Sequence, residues 1–93
     1  LVTIAEAEEI PLTRIAQVFS ENASALYGLN TGKIEKGYAA DIVVFDRNKE
    51  FVVRNEDQYS KCGWSPYEGV TLKGEPELVM VNGRTIYKDR KFI

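Results

Sequence analysis

The stretch NASALYGLNTGKIEKGYAADIVVFD, residues 22–46, divides the chain into a helical part and a β part. Asn22 is a good N-cap for a short helical turn over residues 23–27, and Gly28 is placed to end that turn. At the far end of the stretch, residues 42–45 form an apolar run between two aspartates, which is typical of a buried strand. Because helices come first and strands follow, the sequence predicts an α+β fold rather than the alternating order of a doubly wound sheet.

The middle of this stretch carries small residues and one acid where the chain must turn. Gly32 and Gly37 permit tight turns around a short strand that we predict to be centred on residues 33–35. Ala40 is small enough for close packing, and Asp41 can accept hydrogen bonds from loop N–H groups at the strand entrance. We interpret these residues as architectural rather than catalytic.

Helical features also dominate the first 20 residues. Residues 1–5 resemble the end of a helix, and Pro11 suits the first turn of a second one, where its missing N–H costs nothing. Spacings of three and four give this second helix an apolar face, formed by Leu12, Ile15, Ala16 and Phe19. No segment of the chain is an obvious partner for that face.

Short apolar runs indicate β structure in the second half. Residues 51–53 predict one strand, and residues 78–81 and 85–87 flank the pair Asn82-Gly83. Asn-Gly between two apolar runs is a strong hairpin signal, because both central residues of a type I′ turn need positive φ.

We predict that the segment between these strands, residues 54–77, is an irregular loop with one or two short pairings. Its turn-forming residues are Gly63, Pro66, Gly69, Gly74 and Pro76. So few short strands leave unpaired edges, which indicates that part of the structure lies outside this chain.

Composition limits the class of protein. The 93 residues suffice for one small domain that is marginal by itself, and the absence of an initiator Met before Leu1 suggests a fragment or a processed product. The net charge of −2 provides no basic field for nucleic acid, and no apolar run approaches the ~20 residues that span a membrane. Cys62 is the only cysteine, which fits a reducing cytoplasm better than secretion.

The chain lacks histidine, the residue that most often acts as a general acid or base in catalysis. Cys62 therefore has no histidine to activate it, and it has no second cysteine in a CxxC pair. We do not expect Cys62 to act as a nucleophile or a zinc ligand. Glu6, Glu8 and Glu9 are typical of a solvated helix face.

Aromatic and glycine residues also favour an architectural role. Tyr59, Trp64 and Tyr67 offer large apolar area with a polar handle, and we expect their loop to pack against other structure rather than stack on a ligand. The glycines near Gly28 do not form a phosphate loop, because no Gly-Lys-Ser/Thr follows them.

One spaced pattern in the opening stretch is recognisable. Gly-x-Ile-x-x-Gly-x-x-Ala-Asp-Leu/Ile-Val is matched by Gly32, Ile34, Gly37, Ala40, Asp41, Ile42 and Val43. Together with the preceding Asn22 and the pair Gly28-Leu29, it resembles the C-terminal signature of the amidohydrolase superfamily. The usual Pro after Asn is Ala23 here, which reduces the preorganisation of a helix start and affects no chemistry.

Two further segments extend the resemblance over almost the whole chain. Residues 59–69, YSKCGWSPYEG, are similar to the Ser-Lys…Thr/Ser-Pro-Phe/Tyr-x-Gly segment of dihydroorotases and related cyclic amidases. Residues 79–93, VMVNGRTIYKDRKFI, are similar to the Val-x-x-Gly-x-x-Val-Tyr-x-Asp-Gly-x-Phe end of the family, with Arg90 in place of the usual Gly. The first of these favours dihydroorotase over hydantoinase, dihydropyrimidinase or allantoinase.

The resemblance implies a place in a larger architecture. Family members combine a (β/α)8 barrel with a small composite β-sandwich built from both chain ends. By resemblance, residues 1–29 are the last helical part of the barrel and residues 30–93 are the C-terminal strands of the sandwich. The barrel strands, whose C-terminal ends carry the active site, are outside this chain.

The activity implied is the reversible hydrolysis of dihydroorotate to N-carbamoyl-aspartate in pyrimidine biosynthesis. Zinc in the parent enzyme activates water and polarises the amide carbonyl, held mainly by histidines that this chain lacks. We therefore predict no catalytic, cofactor-binding or metal residue here, no zinc bound to this piece and no activity of the piece alone. Its expected partners are the remainder of the parent chain and further copies in a homo-oligomer, with neither nucleic acid nor membrane.

Two alternatives remain open from the sequence. The chain can instead be part of a hydantoinase, dihydropyrimidinase or allantoinase. It can also be a free-standing β-rich domain for binding or assembly, which predicts a self-contained core and a monomer. The unpartnered face of the helix containing Leu12 and Phe19 counts against the free-standing domain.

Overall fold

A helical segment begins the molecule. The computed structural model describes all residues, 1–93, and its helices are α1 (Val2–Ala7), α2 (Leu12–Ala16) and α3 (Asn22–Leu26). A π-helical turn, Gln17–Glu21, joins α2 to α3 without a break. The prediction of helices before strands is confirmed.

The expected helix starts are shifted. Pro11 is the N-cap of α2, with ψ 141°, one residue earlier than the first-turn position that the sequence suggests. The prediction that Asn22 caps a separate turn is wrong: its φ and ψ of −67° and −40° are helical, and its N–H donates to the carbonyl of Gln17. A side chain caps only where a hydrogen-bond ladder begins, and here the wide π turn carries the ladder through Asn22.

Gly28 ends α3 as predicted. Its φ is +65°, its N–H donates to the carbonyl of Ala25 (3.3 Å), and the N–H of Leu29 donates to the carbonyl of Ser24 (2.8 Å). This pair of bonds is the Schellman arrangement, in which a left-handed residue turns the chain back over the last carbonyls. The chain therefore leaves the helix sharply towards the sheet.

Four antiparallel strands form one sheet in the order of the sequence. They are β1 (Ile42–Val52), β2 (Thr71–Val81), β3 (Arg84–Lys88) and β4 (Lys91–Phe92). The two apolar runs predicted as separate strands are thus the two ends of β1, with an irregular register between Asp46 and Glu50.

The prediction of a loop through residue 77 is wrong, because β2 begins at Thr71 and contains both Gly74 and Pro76. β3 pairs only with residues 78–81, so the preceding part of β2 has a free edge, where proline is tolerated. Pro76 also lies beside a register shift opposite Phe45, and bulges accommodate proline in the same way.

The predicted Asn-Gly hairpin is confirmed. Asn82 and Gly83 have φ of +48° and +76°, the two positive values that a type I′ turn needs. Asp89 and Arg90, between β3 and β4, also have positive φ, at +50° and +65°. The second turn therefore keeps this geometry without a glycine.

The short strand predicted around residues 33–35 does not form. The segment makes bends and a turn, and 87% of Ile34 is exposed. Val43 and Val44 in β1 are exposed as well, so the prediction of a buried strand there is also wrong. No strand of this chain lies beside residues 33–35, and no segment covers the side chains of Val43 and Val44.

The molecule has almost no interior. Only Ala5, Ser24, Val53 and Glu75 are buried. The radius of gyration is 14.8 Å, against about 12 Å for a compact chain of this length. The accessible surface is 7416 Å², against about 5,400 Å² for a compact protein of this mass.

Candidate functional site

The signature stretch, residues 22–46, meets the sheet at the tip of the β2–β3 hairpin. The N–H of Asn82 donates to Oδ1 of Asp41 at 2.7 Å, and the N–H of Gly83 donates to the carbonyl of Ala40 at 2.9 Å. Asp41 thus accepts a loop N–H, as predicted. These two bonds fix the position of the turn against the entrance of β1.

Gly32 holds the same stretch against the helix. A Cβ at this position would lie 2.7 Å from Oγ of Ser24 and 2.9 Å from the carbonyl of Ser20. Ser24 is buried, and its hydroxyl is 2.9 Å from that of Thr31. The glycine is therefore required both for its φ of +89° and for the close approach to the helix.

α1 covers part of the free edge of β2. The N–H of Lys73 donates to the hydroxyl of Thr3 (2.8 Å), and that hydroxyl donates to the carbonyl of Lys73 (3.2 Å). Gly74 allows the contact, because its missing Cβ would meet Cγ1 of Val2 at 2.9 Å. Lys73 also forms an ion pair with Glu6 at 3.4 Å. Of the three glutamates near the start, Glu6 therefore has a structural partner, while Glu8 and Glu9 are exposed, as expected of a solvated face.

A cleft of about 770 Å³ lies between the sheet and the segment after β1. The sheet side is formed by Glu75, Pro76 and Tyr87, with Arg90 at one end. The other side is formed by the end of β1 and residues 54–59, which include the 3-10 turn Asn55–Asp57.

Glu75 is the one buried acid beside this cleft, 7% exposed. Its Oε1 forms an ion pair with Arg90, whose Nε is 2.8 Å away. Nζ of Lys49 lies 3.5 Å from Oε2, within ion-pair range, but Oε2 makes no hydrogen bond. The two cations offset the cost of burying one carboxylate. This arrangement joins the β3–β4 turn to β2.

Cys62 lies exposed in the loop after β1. Its Sγ is 3.2 Å from the hydroxyl of Ser60. This hydrogen bond, and then backbone groups of residues 62–64, lower the pKa of the Cys62 thiol. Tyr59, Trp64 and Tyr67 are all exposed, and the ring of Tyr59 contacts that of Phe92.

The residues of this chain do not fit a zinc site. The sequence has no histidine, and no three Cys, Asp or Glu side chains lie close enough together to hold a metal ion. We therefore assign no step of metal chemistry to this chain. The prediction that it contributes no catalytic residue stays a prediction. No helix is long and apolar enough to cross a membrane.

Comparison with known proteins gives consistent matches. The model of the Amidohydrolase family matches residues 1–86. The chain is 35% identical over 86 residues to an allantoinase of Desulfitobacterium hafniense, covering 91% of this chain and 19% of that protein. It is 30% identical over 84 residues to a dihydroorotase of Pyrococcus furiosus, covering 90% of this chain and 20% of that protein. It is 34% identical over 80 residues to a dihydroorotase of Aquifex aeolicus, covering 86% of this chain and 19% of that protein.

A solved structure has the same fold. The L-hydantoinase (dihydropyrimidinase) from Arthrobacter aurescens superposes with a TM-score of 0.91 over 99% of this chain and 21% of its own, at 24% identity. The chain thus spans about a fifth of the length of the relatives it matches.

Proposed function

The chain belongs to the amidohydrolase family, and we propose that it is the C-terminal, non-catalytic portion of a zinc-dependent dihydroorotase. In this proposal the complete enzyme breaks the ring C–N bond of dihydroorotate with one water to give N-carbamoyl-aspartate, and closes it in reverse. The segment 59–69 supports dihydroorotase, as do the two dihydroorotases among the relatives described above.

The observation that carries the proposal is the exposed apolar surface. The chain exposes about 2,000 Å² more surface than a compact protein of its mass, which is more than twice the roughly 800 Å² that one partner buries in a protein–protein interface of ordinary size. Its large apolar residues on the helices and the following loop include Leu1, Ile4, Phe19, Leu26, Tyr27 and Ile34. A partner that covers them is needed before this chain acquires a core.

We propose that this partner is the remainder of the parent chain. Residues 1–29 then complete the helical wall of a barrel, and residues 30–93 supply C-terminal strands to a small sandwich. The free edge of β1 and the exposed side chains of Val43 and Val44 are the surfaces that this sandwich would cover. The proposal further includes a homo-oligomer and a cytoplasmic location, the latter supported by the lone Cys62 thiol.

Zinc belongs, in this proposal, to the parent barrel. The role of the present residues is to position structure: Asp41, Gly32 and Thr3 join the helices, the signature and the sheet into one unit. A barrel wall and a sandwich held together in this way keep the active-site ends of the barrel strands in register.

Allantoinase is the second candidate, favoured by the 35% identity to the Desulfitobacterium protein. Both reactions open a cyclic amide, and the substrate is chosen in the barrel. A free-standing binding domain is disfavoured, because only four residues are buried.

The test is complementation between two separately expressed pieces. The intact mass of the native protein identifies the parent, and the 93-residue chain is then expressed alone, the remainder alone, and the two together. We expect hydrolysis of dihydroorotate, dependent on zinc, only when both pieces are present. Hydrolysis of allantoin but not of dihydroorotate would select the second candidate. A native product of 93 residues, monomeric and inactive, would contradict both.

A further inference from the structure

The loop that follows β1 is attached to the sheet at its two ends. The N–H of Val53 donates to the carbonyl of Val70 at 3.0 Å, and the N–H of Gly69 donates to the carbonyl of Val53 at 2.8 Å. Val53 is buried at this point. These bonds form a firm base for residues 54–68.

Beyond that base, the loop is held mainly by itself. The N–H of Ser65 donates to Oδ1 of Asn55 at 2.9 Å, and Nε2 of Gln58 donates to the carbonyl of Arg54 at 3.1 Å. No hydrogen bond or ion pair joins residues 54–68 to β2, β3 or β4. The cleft of about 770 Å³ lies between this loop and the sheet.

One contact joins the far side of the loop to the sheet. The ring of Tyr59 meets that of Phe92 edge to face, with centroids 5.1 Å apart and an interplanar angle of 80°. Phe92 makes a second such contact with Tyr87, at 5.2 Å and 70°. β4 holds Phe92 in place through its pairing with Tyr87 and the bond from the N–H of Ile93 to the carbonyl of Ile86 (2.9 Å).

We propose that residues 54–68 are a lid over the cleft, hinged at Val53 and Val70 and fastened to the C-terminal strand by the contact of Tyr59 with Phe92. The lid restricts access to the part of the sheet that carries Glu75, Tyr87 and Arg90. The bonds inside the lid are too few to keep its turns closed once it leaves the sheet, so the lid amides exchange when the lid opens. An edge-to-face aromatic pair shifts a two-state equilibrium by about 2-fold to about 13-fold. The fastening is therefore a weak latch, readily released.

β4 has two residues and pairs only with β3, so it is the least supported strand of the sheet. Arg90 counteracts this weakness, because its guanidinium anchors the preceding turn to Glu75. The sheet side of the latch is thus the short strand β4, which the ion pair of Arg90 supports at one end and which carries the ring of Phe92 at the other.

The test is amide hydrogen exchange on the complete native protein. We expect Phe92→Ala to raise exchange of the lid amides, including Asp57, Gln58 and Ser65, about 2-fold to about 13-fold, with residues 79–87 unchanged. Ile93→Ala is the matched control: it removes an exposed side chain from the next position, keeps the backbone bond to Ile86, and should leave the lid unchanged.

A second pair of variants approaches the latch from the lid. Tyr59→Ala should reproduce the effect of Phe92→Ala, the double variant should add nothing further, and Tyr59→Phe should retain slow exchange because the ring remains. The latch is overturned if lid exchange is unchanged in Phe92→Ala, or if exchange in residues 79–87 rises by the same factor, since that result indicates general loosening of the sheet.

Discussion

Asp41 and Asn82, 41 residues apart in the chain, are joined by a 2.7 Å hydrogen bond from the backbone N–H of Asn82 to the carboxylate of Asp41. The bond connects the entrance of β1 to the tip of the β2–β3 turn. The adjacent bond from Gly83 to Ala40 doubles the connection. An acid at this point of the signature therefore has a structural task, which is to position a hairpin that is distant in sequence.

We expect Asp41→Ala to weaken this connection measurably. The free energy of local opening at the amides of Asn82 and Gly83 should fall by about 1 kcal/mol, because the bond has a charged acceptor but is exposed to solvent. Native-state hydrogen exchange measures it. Asp41→Asn keeps an oxygen acceptor, so its free energy of local opening should fall by less than that of Asp41→Ala. Equal exchange in all three proteins would show that Asp41 does not hold the turn.

Gly32→Ala should destabilise the protein strongly. The new Cβ would meet Ser24 Oγ and the carbonyl of Ser20 at φ +89°, so both the backbone conformation and the helix contact are lost. We expect about 2–4 kcal/mol from the left-handed penalty and overpacking together, seen as a lower thermal midpoint and a lower yield of folded protein.

Gly37→Ala is the matched control for that experiment. Gly37 has φ +97°, but a Cβ there would have no atom within 4 Å. The substitution should therefore reduce stability only through the left-handed backbone, by about 1 kcal/mol. If the two variants were equally stable, the approach of Gly32 to the helix would carry no energetic weight.

Arg90 combines an unfavourable backbone with a favourable ion pair. Arg90→Ala keeps the positive φ and removes the cation 2.8 Å from buried Glu75, so we expect a loss of about 1–2 kcal/mol. The guanidinium is mostly exposed, which keeps this figure at the lower end. Urea unfolding followed by exchange at β3 and β4 measures the change.

Arg90→Gly separates the two contributions. It loses the same ion pair but relieves the left-handed backbone, so it should recover about 1 kcal/mol relative to Arg90→Ala. A glycine variant more stable than the natural protein would mean that the contact between Arg90 and Glu75 contributes less than the backbone strain that glycine relieves.

The reactivity of Cys62 should depend on Ser60. The hydrogen bond with Ser60 is the main cause that lowers the pKa of the Cys62 thiol. A lower pKa means more thiolate at a given pH, so Ser60→Ala should move the pH midpoint of alkylation by iodoacetamide upwards and slow the reaction near pH 7.5.

Ser65→Ala is the control for Cys62, because Ser65 lies in the same loop and bonds Tyr67 rather than the thiol. Its alkylation profile should match that of the natural protein. An unchanged profile for Ser60→Ala would contradict the assigned cause.

Local chemistry made several elements predictable. Gly28 ends its helix because glycine alone adopts positive φ without cost, and Asn82-Gly83 forms a type I′ turn for the same reason. The acceptor role of Asp41 was also predictable, since Asp bonds readily to nearby N–H groups. Its specific partner, Asn82, was not, because nothing in the local sequence relates the two positions.

Predictions failed where long-range pairing outweighed local preference. Gly74 and Pro76 indicate a loop, yet both lie in β2, because β1 provides a pairing partner and α1 packs against Gly74. Conversely, residues 33–35 have a strand-like pattern and form none, because no strand of this chain lies alongside. The cleft and its lid had no signal in the sequence, since Tyr59 and Phe92 meet only through the fold.

By itself, the sequence determined the order of helices and strands, the turns at Gly28 and Asn82-Gly83, the family and the lack of histidine, because each depends on residue type or on spacing within a few positions. Only the tertiary structure decided the extent of β2, the ion pair of Arg90 with Glu75 and the contact of α1 with Gly74. These features depend on the free energy of contacts between residues far apart in the chain, which no local pattern encodes.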